Sequence, residues 1–175
     1  LREKQERGLA EARGGRRGPE NVWGSAATGA CLALLIGAGV EPRSLLLVGF
    51  SASFAAKLAD TFGSEIGKRW GRRPVLITTL RSVPPGTEGA ISLAGTLASA
   101  AGSVLMTLVM WQLQLLPSIS VSLVVMLIGL LATLAESLLG ALAQDRFRWL
   151  SNELVNALQT LLAAVMAMLW LGGRI

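Results

Sequence analysis

Residues 119–143 read ISVSLVVMLIGLLATLAESLLGALA, a run that carries a single charged side chain, Glu136. Crossing a hydrocarbon core of roughly 30 Å takes about 20 apolar residues in helical form. No strand-like alternation persists along the run, and backbone polar groups in lipid must be satisfied inside the segment, so the stretch is a membrane helix. Working outward, comparable runs lie near 22–40, 45–66, 89–112 and 152–171. The fold class is therefore all-α: a polytopic transmembrane helical bundle of about five spans over residues 21–175, preceded by a basic tail over 1–20.

Composition agrees. The chain is 52% hydrophobic and 15% charged, whereas a soluble domain carries roughly a quarter charged residues. Small residues four apart, as in Ser25 to Gly29, Gly63 to Gly67 and Ala98 to Gly102, let helices approach closely. The one cysteine, Cys31, sits in the first span, so no disulfide forms within the chain. Histidine is absent, which excludes histidine-ligated zinc or haem and every nucleophile that depends on an imidazole base. Chemistry here has to run on carboxylates, lysine, arginine and a bound metal. The sequence opens at Leu1 with a basic, glycine-rich stretch lacking the apolar core of a signal peptide, and it is read as a fragment without its true N-terminus.

The net charge of +5 does not point to nucleic acid, because the basic residues border the spans. Arg2, Lys4, Arg7, Arg13, Arg16 and Arg17 lie in the tail, Lys68, Arg69, Arg72, Arg73 and Arg81 follow the second span, and Arg146 and Arg148 follow the fourth. The opposite side receives only Arg43 and Arg174. By the positive-inside rule the tail, the 68–88 loop and the 144–152 loop face the cytoplasm or its organellar equivalent.

Polar residues inside the spans are the informative feature. Lys57, Asp60, Thr61, Ser64 and Lys68 share one helical face, with Glu65 at its edge one turn after Thr61. Thr133, Glu136, Ser137, Gly140 and Gln144 repeat the same spacing in the fourth span. At the start of the fifth, Asn152, Asn156 and Gln159 form one stripe and Glu153, Asn156 and Thr160 another. With alternating span direction the three regions meet near the inside face. Either these acids pair with Lys57 or with arginines and merely lock the bundle, or they form a functional site, the usual meaning of intramembrane acids. Converging carboxylates without histidine suit a hard cation, magnesium or another divalent ion, which normally brings phosphate with it. Asp60 and Glu136 are the leading ligands, with Glu65 or Glu153 in support.

Beside them, residues 68–92 read KRWGRRPVLITTLRSVPPGTEGAIS. Glycines in the Pro-Pro-Gly-Thr-Glu-Gly turn let backbone amides face an anion, and the basic residues can neutralise phosphoryl oxygens. The plainer alternative for a basic loop is a topology signal or a lipid-headgroup contact. There is no Walker loop, since Gly63 to Gly67-Lys68 is one residue too short.

RRGPENVWGSAATG (16–29), LADTFGSEIG (58–67), LITT (76–79), VPPGTEGAISLAGT (83–96) and ESLLGA (136–141) together resemble the phytyl-phosphate kinase family of vitamin E and phylloquinone synthesis. More distantly, the pattern is similar to dolichol kinases, phytol kinases and phosphatidate cytidylyltransferases. The resemblance implies a membrane enzyme that converts phytyl or a related prenyl monophosphate to the diphosphate, using a divalent metal and a nucleoside triphosphate, CTP foremost. It matches Asp60 to the key acid, Ser64 and Glu65 to the rest of that motif, and Gly86, Thr87, Gly89 and Ser92 to the turn. Glu136 and Ser137 look like a second acidic motif. Lys57, Lys68, Arg72 and Arg81 are expected around the transferred phosphoryl group, and Asn156 among the substrate-binding residues. The resemblance implies a cyanobacterial membrane or a plastid envelope or thylakoid, with the site on the cytoplasmic or stromal side. Its members carry further helices before the basic tail. The competing functions are a cytidylyltransferase acting on a lipid phosphate and a lipid or ion transporter; the latter would need polar residues in the outer halves of the spans, which are almost wholly apolar.

Overall fold

Five helices account for most of the computed structural model, which describes residues 18–174 except 145 and 148. Most of the basic tail, including Arg2, Lys4, Arg7, Arg13, Arg16 and Arg17, lies outside the described residues, as does Arg148. Helix α1, Pro19–Gly37, starts with proline in its first turn, where the missing N–H costs nothing, and with Glu20 favouring the helix dipole. Helix α2, Arg43–Trp70, ends with Lys68 and Arg69 in its last turn, the complementary arrangement. Helix α3 is Leu93–Gln112 and α4 is Ile119–Leu139, the latter continued by a π-helical turn at Gly140–Gln144. Helix α5 is Asn152–Gly172. Ser92, Ser118 and Ser151 cap α3, α4 and α5, each accepting a hydrogen bond from the backbone N–H three residues on.

Four described helices, α2, α3, α4 with its π turn, and α5, are long and apolar enough to cross a membrane. Helix α1 falls short of the five spans expected because its first turn is Pro-Glu-Asn, yet it packs lengthwise on α2 and α5 and shares a hydroxyl hydrogen bond with α5, Thr28 to Thr160 at 3.0 Å.

The interior is built from small residues and the exterior from large ones. Ala52, Ala55, Ala56 and Ala59 of α2 are fully buried, as are Ala132 of α4 and Ala163, Ala164 and Ala167 of α5, while Leu97, Leu127, Leu161 and Leu169 face outward. A soluble protein would reverse this. In lipid, burying leucine against another helix gains little over leaving it among acyl chains, so the interface goes to residues that let backbones come close. Helix α2 is the hub and packs against all four others. Its seam with α3 is the tightest: a Cβ on Gly95 would stand 3.1 Å from the carbonyl oxygen of Gly63 and 3.3 Å from Cα of Gly67, and one on Gly102 would stand 2.7 Å from the carbonyl oxygen of Leu58.

The segment between α2 and α3 is more ordered than a loop. Strands β1, Val75–Leu76, and β2, Ala90–Ile91, pair antiparallel with Val75 opposite Ile91, and Val75 also bridges to Ser82. In consequence α2 runs to Trp70 instead of 66, and α3 begins at Leu93 instead of 89, once Ala90 and Ile91 have paired and Ser92 can cap.

Candidate active site

One end of the bundle holds a cavity of about 570 Å³, within the size range of small-molecule sites. Helix α2 lines it with Lys57, Asp60, Thr61, Ser64 and Lys68, the whole polar stripe read from the sequence. Helix α4 contributes Thr133, Glu136 and Ser137, and α5 contributes Asn152, Glu153 and Asn156. The turn before β2 closes one side with Gly86, Thr87, Glu88 and Gly89, followed by Ser92 at the start of α3. Gly86 and Gly89 both have positive φ, 89° and 72°, which glycine adopts without strain. Gly89 also lies against the end of α4, where a Cβ would stand 2.6 Å from the carbonyl oxygen of Ser137. The turn is thereby pinned beside Glu136 and Ser137.

Lys57 is the electrostatic centre of the described site. Its Nζ donates to Oδ2 of Asp60 at 2.8 Å, an i,i+3 pair within α2, and to Oδ1 of Asn156 on α5 at 2.8 Å. Lys57 and Asp60 each remain 16% exposed, in both cases toward the cavity they line. Glu136 has no hydrogen bond or ion pair among the described residues, although Asp60, Lys57, Glu88 and Lys68 lie within electrostatic range of it. The pairing with Lys57 that would merely lock the bundle does exist, then, but among the described residues it engages Asp60 and not Glu136.

Beneath the site, Gln159 donates from Nε2 to the carbonyl oxygen of Ala56 at 3.2 Å and to Oγ1 of Thr133 at 3.0 Å, tying α2, α4 and α5 together. Below that, Val48, Val125 and Ile128 pack with buried alanines into an apolar core.

Several residues expected at the site stand elsewhere. Glu65 does not line the cavity, because the step from Ser64 turns it about 100° around α2. Arg72 and Arg81 are exposed outside the lining: α2 has ended before Arg72, and the β1 hairpin carries Arg81 on its outer edge. Gly140 is also outside it. Conversely, Glu20, Asn21, Glu88, Thr96 and Ser99 line the cavity and were not singled out. A signal for two of them was present, since Ser92, Thr96 and Ser99 fall at helical offsets 0, 4 and 7, the spacing used to find the other stripes. Among the described residues no three His, Cys, Asp or Glu side chains are grouped closely enough to hold a metal ion.

Residues 1–164 match the family model described as Integral membrane protein DUF92. The chain belongs to this family. The DUF92 chain is 47% identical to the uncharacterized membrane protein sll0875 of Synechocystis sp. over 95% of its own length and 64% of that protein's. It is 42% identical to Protein VTE6, chloroplastic, of Arabidopsis thaliana, over 97% of this chain and 52% of that one. It is also 39% identical to the uncharacterized membrane protein MJ0933 of Methanocaldococcus jannaschii, over 70% of this chain and 50% of the relative. It thus spans between half and two thirds of the length of these relatives. No solved structure matches it. The family resemblance drawn from the motifs is borne out, and the DUF92 chain is an integral membrane protein with cyanobacterial and chloroplast relatives.

Proposed function

We propose that the DUF92 cavity is the phosphoryl-transfer site of a membrane prenyl-phosphate kinase, which converts phytyl phosphate or a related prenyl monophosphate to the diphosphate at the expense of a nucleoside triphosphate, CTP foremost. One observation carries this reading: acids from three membrane helices, two lysines and a glycine turn with positive φ line a single cavity at the end of an apolar bundle. The resemblance to phytyl-phosphate kinases and the likeness to the chloroplast protein support it.

A monophosphate oxygen of the lipid would attack the terminal phosphorus of the triphosphate, forming a new P–O bond as the bond to the nucleoside diphosphate breaks. The attacking oxygen is already anionic, so no proton need be removed and the lack of histidine is no handicap. Catalysis then rests on positioning and on offsetting charge. Lys57 and Lys68 supply positive charge in the lining, and the amides of Gly86 and Gly89 would offer donors without adding bulk. Asp60 and Glu136 fit a magnesium ion that takes one or two carboxylates and completes its shell with water and phosphate oxygens. Those two residues would hold it, and when bound it would supply positive charge to offset that of the phosphates. The prenyl tail would remain among the spans, with its headgroup at the cavity. A transport path is disfavoured, because Gln159, Thr133 and the apolar core close the bundle beneath the site.

The test uses purified protein, magnesium, labelled phytyl or geranylgeranyl phosphate and each of the four triphosphates in turn, with products identified by mass. A lipid diphosphate with release of the nucleoside diphosphate is expected. Pyrophosphate release with a nucleotide-linked lipid would make the protein a cytidylyltransferase, and no product from any pair would remove the kinase reading.

A further inference from the structure

Lys57 occupies the place a cation would take. Its ammonium sits 2.8 Å from Oδ2 of Asp60, and Asn156 of a different helix holds it there through a second 2.8 Å bond. An i,i+3 pair on one helix would form in many orientations; anchoring to Asn156 of α5 fixes one of them, between two residues that both line the cavity. We propose that Lys57 is a resident counter-ion that excludes a divalent ion from Asp60 until a triphosphate enters and draws the ammonium onto its own oxygens. The metal then arrives with the nucleotide instead of binding beforehand. This rests on the phosphoryl-transfer reading for the identity of the anion, while the competition between Lys57 and a cation for Asp60 does not.

Charge and ligand supply both point this way. With the lysine in place Asp60 is neutralised, and Glu136 has no hydrogen bond or ion pair among the described residues. Magnesium gives up its water reluctantly, and a pair of carboxylates of which one already holds an ammonium is a poor match for it. A triphosphate changes both terms. It brings oxygen ligands for the metal and an alternative partner for an ammonium on a flexible four-carbon stem. Asn156 is then a positioning residue: it holds the blocking arrangement and acts on the cation only through Lys57.

Mn²⁺ reports on this without turnover, because its electron paramagnetic resonance signal falls when the ion binds. The measurement needs the wild-type protein and Lys57→Met in detergent, each with Mn²⁺ alone and with Mn²⁺ plus the β,γ-methylene analogue of CTP. Wild type should bind Mn²⁺ at least about tenfold more tightly with the analogue than without, and Lys57→Met should bind Mn²⁺ alone at least about tenfold more tightly than wild type. Adding Asp60→Asn should abolish the gain in the double variant. Wild type that binds Mn²⁺ equally well without the analogue overturns the proposal, and that arm needs no variant to fold. So does a Lys57→Met protein of unchanged melting temperature whose Mn²⁺ affinity is no higher, or a double variant that keeps the gain. A protein that shows the Lys57 competition yet makes no lipid diphosphate would fail the kinase reading alone.

Discussion

Helices α2, α4 and α5 run through both ends of the bundle and behave differently in each. At the closed end Val48, Val125 and Ile128 are buried with alanines. At the cavity end the same helices present Lys57, Asp60, Glu136 and Asn156 to one space. The layer between them is Gln159 with Thr133 and the carbonyl of Ala56. The comparison separates two tasks. Close packing of small residues holds the bundle, while the polar stripes converge only where the helices part, so a change at one end should leave the other largely intact.

The largest expected effect is at the cavity. Asp60→Asn keeps the shape of the side chain and weakens its hold on both Lys57 and a metal. Lipid diphosphate formation should fall by about a thousandfold or more, as for loss of a central electrostatic contact. Membrane insertion and melting temperature should stay close to wild type. Loss of insertion instead would mean that the Asp60–Lys57 pair is structural and that the cavity end also holds the bundle together.

The second effect is on the fold. Gly102→Leu forces a side chain toward the carbonyl of Leu58, 2.7 Å from the first added carbon. The α2–α3 seam must open, at a cost of about 3 kcal/mol by analogy with overpacked cores. Melting in detergent should drop sharply. An unchanged melting temperature would show that the glycine seam does not hold these helices together.

How far the sequence reveals these two tasks depends on what sets each one. Bilayer thickness fixes span length, so 119–143 and its counterparts are legible to within a few residues. The stripes on α2, α4 and α5 are legible because a helix returns to the same face at fixed intervals and a charge in that face is costly unless it is used. The hydroxyls of Thr96 and Ser99 do not stand out in the sequence, because serine and threonine sit in membrane helices without conspicuous cost. Glu20 and Asn21 belong to a stretch that looked like the approach to a span, and only the packing of α1 on α5 brings them to the cavity. The positions of Arg72 and Arg81 depend on pairing between Val75–Leu76 and Ala90–Ile91. Strands of two residues have no periodicity to read, and their register comes from tertiary context.

A smaller effect is expected in the dividing layer. Gln159→Leu removes two hydrogen bonds, to Ala56 and Thr133, but also a buried Oε1 that has no partner among the described residues. The two changes oppose each other, so the net loss of stability should be near 1 kcal/mol, the worth of an ordinary hydrogen bond. Activity should fall less than in Asp60→Asn, because Gln159 acts only by fixing Thr133 beneath the site. A melting temperature that rises would show that the unsatisfied oxygen outweighs both bonds.

The smallest effect sharpens the boundary of the site itself. Arg81 and Arg72 were expected to neutralise phosphate, but both are exposed and outside the cavity lining, whereas Lys68 lies within it. Exposed charges act across water and salt, where their influence is largely screened beyond about 8 Å at physiological ionic strength. Arg81→Gln should therefore change kcat/KM by less than about threefold, and raising the salt concentration should shrink the difference further. Lys68→Met, by contrast, should cost at least about tenfold, with a loss that salt does not remove, since its charge works inside the cavity. If the two substitutions prove equally damaging, the turn bearing Arg81 must fold over the cavity during the reaction, and the cationic side of the site extends beyond the helices that line it.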